Sequence, residues 1–171
     1  MTRYRIVPER STVTIDARSN VHPIHSETAG LEGHVELDLG AGGAVDPVAG
    51  AAGTLSLPVS RLRSGNRLED RELQRRIDAR RYPTISGALD AIEPAGDDGR
   101  YRVSGTVTFR GVARPHTDEM TIRAVDDRTL SLSGRSRFDV REWGMEPPRV
   151  LVLRVEPEVD VAVDIVAVAE A

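Results

Sequence analysis

The chain has 171 residues, of which 39% are hydrophobic and only 4% aromatic, so its length fits one domain built around an aliphatic core. All 23 basic residues are Arg and there is no Cys, which excludes lysine Schiff bases, P-loop lysines, disulfides, thiolate nucleophiles and cysteine metal sites. A net charge of −4 argues against general nucleic-acid binding, and a charged start with no membrane-length apolar run leads to the expectation of a cytoplasmic protein.

Along the chain the dominant signal is strict alternation of apolar and polar residues, the signature of strands with one buried face. It runs through Val13, Ile15 and Ala17, then Leu31, Gly33, Val35, Leu37 and Leu39, then Leu55, Leu57 and Val59. It resumes at Ile85, Gly87, Leu89 and Ala91, and again at Val103, Gly105, Val107 and Phe109. Met120 and Ile122, then Leu130, Leu132, Gly134 and Phe138, and finally Val159, Val161, Val163 and Ile165 complete the series. Residues 40–43, 94–99 and 126–127 carry turn chemistry, and residues 40–53 read as a Gly/Ala-rich hairpin loop. About eight such strands predict an all-β fold, an antiparallel up-and-down barrel, because closure removes the exposed edges that a sandwich would keep. No linker divides the chain, so residues 1–171 form a single domain.

One segment breaks the alternation. Residues 68–80 lack Gly and Pro, and Leu73 and Ile77 share a helical face with Leu68 near it. Glu72 is placed to pair with Arg75 and Arg76, and Pro83 marks the exit. Residues 61–81 carry a local balance of +4 and the remainder −8.

Five stretches carry a family likeness. They are residues 4–13 with Tyr4, Pro8, Ser11 and Thr12; Val21-His22 ahead of the strand 30–39; residues 70–73 and 78–85, ending Tyr82-Pro83-Thr84-Ile85; Gly105-Thr106-Val107-Thr108-Phe109-Arg110-Gly111 through Pro115; and Arg141-Glu142-Trp143-Gly144-Met145. In this order they resemble the YceI-like family of bacterial lipocalin-like barrels that bind polyisoprenoid lipids. Val7 and Arg10 stand where that family has Asp and His, Gly87 where it favours Phe, and the last element is one residue short. The resemblance implies a barrel that binds, sequesters or carries a long-chain apolar ligand: a polyisoprenoid, an isoprenoid quinone or a similar lipid. The residues themselves show no G-x-S-x-G elbow and no glycine-rich phosphate loop ahead of a helix, so no catalytic residue, metal or cofactor is expected.

The candidate lining of such a barrel is Ile15, Leu37, Leu57, Leu89, Val107, Phe109, Leu132, Phe138 and Val161, with Trp143 as a cap and His22 as a polar group turned inward. Inward Gly33, Gly87, Gly105 and Gly134, with Ala17 and Ala91, leave room; the competing reading is a filled core in which Gly relieves strand curvature. Trp143 reads equally as the buried anchor of its own loop. Arg67, Arg71 and Arg75 recur at i+4 and are candidates for a ligand headgroup, against an ordinary solvated helix face. His22, His25 and His116 offer an alternative, a metal- or haem-dependent enzyme or binding protein, although their spacing matches no standard site. A second alternative is a filled barrel whose Arg-rich helix meets a partner or a membrane surface; a homodimer through that helix or a barrel edge is also compatible with the pattern.

Overall fold

The alternating segments become a closed antiparallel barrel in the computed structural model, which describes residues 1–171. The strands are β1 (Thr2–Ile6), β2 (Thr12–Ser19), β3 (Ile24–Ala29), β4 (Glu32–Leu37), β5 (Ala52–Pro58), β6 (Thr84–Pro94), β7 (Arg100–Phe109), β8 (Val112–Ala124), β9 (Thr129–Asp139), β10 (Arg149–Val150) and β11 (Leu153–Ala169). Strands β4 to β9 pair in sequence, β11 follows β9, and β1 bonds to both β11 and β4, closing a ring of eight. Short turns hold this meander together. The β7–β8 turn, for example, is Arg110-Gly111 with both residues at positive φ (54° and 72°), the backbone twist that a two-residue hairpin needs.

Closure is complete at one end only. Strand β1 pairs with β11 at Ala167–Ala169, whereas β2 takes the same edge of β11 from Val155 to Asp164. Ser11 sits where the edge changes hands, fully buried, and its hydroxyl accepts the N–H of Val166 at 3.1 Å. Strand β3 pairs with β2 alone, so the ring is open between β3 and the β4–β5 pair at the other end. The segment leading into helix α1 (Arg67–Ile77) fills this flank. There the Ser26 hydroxyl donates to the Arg63 carbonyl at 2.6 Å, and Gln74 Nε2 donates to the Val59 carbonyl at 2.9 Å.

Packing follows the same polarity. At the closed end Leu37, Leu130 and Ala167 are wholly buried, and the Tyr101 hydroxyl accepts the Val45 N–H at 2.9 Å. Toward the open end the inward residues Ile15, Val107, Phe109 and Val161 are only half-buried.

Three expectations about these elements change. Ala91 is not inward: a bulge sets Asp90 and Ala91 against Ser104, and Ile92 takes the core position opposite Val103. Gly33 and Gly105 do not enlarge the interior, because a Cβ at either would fall 2.0 Å or 2.1 Å from a carbonyl oxygen of the adjacent strand; they permit the backbone to bend closely. The helix starts at an Asn66 cap, whose side chain accepts from Leu68 and Glu69 N–H. It ends at Ile77 because Asp78 adopts the left-handed conformation. Ile77 is buried and Leu73 half-buried, but Leu68 points outward.

Candidate ligand cavity

The half-buried inward residues surround an internal cavity of about 460 Å³. Of its 54 lining residues 33 are hydrophobic, so the wall is mostly apolar and suits an apolar guest. Leu55 shows the vacancy directly. It lies on the inward face of β5, opposite Gly33 and Gly87, yet remains 37% exposed. Ile15, Leu57, Leu89, Val107 and Phe109 line this space, as do Leu132, Phe138, Trp143 and Val161. Trp143 does so as an anchored residue: it is buried, and its indole N–H donates to the Val107 carbonyl at 3.1 Å.

Leu37 and His22 do not reach it. Leu37 packs into the closed end with no exposure, one inward position past Val35, which does line the hollow. His22 lies outside the barrel in the β2–β3 turn, half-exposed, with Nε2 3.3 Å from Glu69 Oε1. A strand parity assigned through a Pro-containing turn fails because the turn, not the pleat, aims the side chain.

The arginines also sit elsewhere. Arg67, Arg71 and Arg75 project to solvent and none lines the cavity. Arg75 instead grips Glu72 with Nε at 3.0 Å and Nη2 at 2.8 Å, and Arg76 joins the same carboxylate at 2.7 Å. These bonds hold the Glu72 carboxyl down to about 2. His22, His25 and His116 do not converge on one point: His25 pairs with Asp16 on the outer face at 2.6 Å, while His116 lies inside the barrel.

His116 belongs to a group that the sequence reading passed over. In the β8 ladder Gly105 faces His116, Val103 faces Asp118 and Tyr101 faces Met120, so His116 and Asp118 share the inward parity of Met120 and Ile122. Ser136 reaches the same region from β9. His116 Nε2 lies 2.7 Å from Ser136 Oγ, the Ser136 hydroxyl donates to Asp118, and Asp118 Oδ2 is 3.4 Å from His116 Nε2. Since Ser136 spends its single proton on Asp118, it accepts from His116, which places a proton on Nε2. The imidazole stacks on Phe138 at 4.5 Å, and Phe138 meets Trp143 edge-on at 5.7 Å. Both oxygens approach the same ring nitrogen. A nucleophilic relay instead needs serine and carboxylate on opposite nitrogens, so this cluster offers hydrogen bonds rather than acyl-transfer chemistry.

A model of the YceI-like domain matches residues 4–167. The structure is similar to that of BcnA from Burkholderia cenocepacia, with a TM-score of 0.77 and 20% identity, covering 94% of this chain and 98% of that one. It is similar to a polyisoprenoid binding domain from Saccharophagus degradans, with a TM-score of 0.76 and 11% identity, covering 99% and 100% of the two chains. It also resembles the YceI protein of Campylobacter jejuni, with a TM-score of 0.63 and 12% identity over 90% and 85%. No curated protein sequence matches the chain. The match over nearly the whole length, and the barrel it corresponds to, make this chain a member of the YceI-like domain family.

Proposed function

We propose that this protein binds a long-chain apolar ligand, of the polyisoprenoid, isoprenoid-quinone or similar lipid class, within its barrel and thereby sequesters or carries it. The observation that carries the reading is the aliphatic cavity of about 460 Å³ with inward Leu55 left uncovered. Hollows of about 300–1,000 Å³ are the usual size for small-ligand sites. A hydrocarbon entering this one gains about 25 cal/mol for each Å² of apolar surface taken from water. Support also comes from the Saccharophagus domain, itself named for polyisoprenoid binding. The His116–Asp118–Ser136 cluster is a hydrogen-bonded polar interruption of a mostly apolar wall, and it supplies a hydrogen-bonding partner for an oxygen-bearing end group on the ligand.

Organic extraction of the protein purified from cells, followed by mass spectrometry, should release a prenyl-type lipid. Titration with a soluble short-chain prenol should shift the emission of Trp143, the chain's single Trp and part of the cavity wall. Repeatedly lipid-free protein whose emission also ignores added prenol would overturn the reading.

A further inference from the structure

The β10–β11 hairpin turns on Leu151 and Val152, between the paired residues Val150 and Leu153. Leu151 holds a left-handed φ of 54° while 96% exposed, and Val152 is 78% exposed. A two-residue turn is best served by Gly, Asn or Asp, and a Leu at positive φ is strained. Folding alone therefore selects against this tip, and solvent gives it no compensation.

Two other exposed apolar side chains stand beside it. Val21 in the β2–β3 turn and Leu68 at the start of α1 are each 57% exposed. Asn20 ties the first to the hairpin, donating to the Val152 carbonyl at 2.9 Å and accepting from the Arg154 N–H at 2.6 Å. His22 and Glu69 tie the second to the first at 3.3 Å. Arginines collar these tips. Arg149 and Arg154 face each other directly in the ladder, and Arg67 and Arg71 flank Leu68. None of the four has a carboxylate within ion-pair distance, unlike Arg75 and Arg76 farther along the helix. Like charges set opposite one another repel unless an anion lies between them. Exposed Glu156, two residues past Arg154, leaves the collar net positive. The same end leads inside, since Val150, Leu153 and Glu69 all line the cavity.

We propose that Leu151, Val152, Val21 and Leu68, with this arginine collar, form a docking surface for an anionic lipid bilayer, which turns the open end of the barrel toward the membrane. Separate apolar tips ringed by guanidinium groups suit insertion among headgroups. A stable protein interface instead needs a contiguous patch of roughly 800 Å² on each partner. Docking goes beyond ligand binding and is tested apart from it; that the docked barrel exchanges lipid with the membrane rests on the proposed function.

Vesicle co-sedimentation tests the surface. The full chain should sediment with vesicles of equal parts phosphatidylglycerol and phosphatidylcholine, lose that binding in high salt, and ignore pure phosphatidylcholine. Leu151→Gly with Val152→Ser should abolish sedimentation while leaving the melting temperature equal or higher, because the replacement relieves the strained turn. Arg149→Gln with Arg154→Gln should weaken it roughly fivefold per charge. Variants that sediment like the parent would overturn the proposal, as would a parent that ignores anionic vesicles or uses this face only to pair with a second copy. The Trp143 prenol titration on the same variants keeps the two readings apart: intact prenol binding with lost sedimentation is expected, and lost prenol binding with retained sedimentation would overturn the ligand reading alone.

Discussion

Glu72 is the most strongly perturbed carboxyl in the molecule, held at about 2 by the hydrogen bonds from Arg75 and Arg76. A depressed carboxyl contributes stability above its ordinary value, near 4.5, and loses it as the pH falls from there to about 2. Arg75 is largely in solvent, so the contribution is small. Glu72→Gln should cost about 1 kcal/mol at neutral pH by chemical denaturation, with the difference vanishing toward pH 2. Under the proposed function, the interior cluster is read out through ligand binding. Ser136→Ala leaves His116 and Asp118 in place but removes the hydroxyl that joins them. It should weaken binding of a prenol several-fold while affecting binding of the matching saturated hydrocarbon little, since only the prenol has an oxygen to lose a partner. Equal losses for both ligands would show that the cluster shapes the wall and does not contact the end group.

Strands β6 and β7 show how two local irregularities act together. The bulge at Asp90–Ala91 and the close approach at Gly105 occur at the same point of the ladder, where Leu89 faces Gly105 and Ala91 faces Ser104. A methyl group at Gly105 would meet the Ala88 carbonyl oxygen at 2.1 Å, a backbone atom that cannot swing aside. Gly105→Ala should therefore destabilise the fold by about 1–3 kcal/mol in a denaturant titration. Helix α1 depends on its ends: Asn66→Ala removes the acceptor for two N–H groups and should cost about 1 kcal/mol. The alternation in sequence made seven of the eight ring strands readable. It placed the remaining one at 13–17, whereas β1 takes that place in the ring and β2 lies beside it. Five residues interrupted by Pro8 from the next strand carry too short a pattern to reveal which of the two seals the barrel.

At the scale of the molecule, a barrel packed at one end and hollow at the other gives up core contacts to keep its cavity. Ala17 lines the hollow and pairs with Val159. Ala17→Leu should fill part of the space, raising the melting temperature of the ligand-free protein by a few degrees while reducing prenol capacity. Bound prenol should raise the melting temperature of the parent in a concentration-dependent way and leave the filled variant nearly unmoved.

The sequence by itself determined the barrel, its one helix and most of its aliphatic wall, because the period-two pattern specifies which face of each strand is buried whatever its neighbours are. Only the tertiary structure decided that Leu37 lies in the plugged end and Phe109 in the hollow, although both share the inward parity. It alone joined His116 and Asp118 to Ser136, and brought Val21, Leu68 and Leu151 to one rim. Parity records the side of a sheet and nothing of the position along the barrel axis. That position depends on strand tilt and register, which are fixed only when every strand has found its partner.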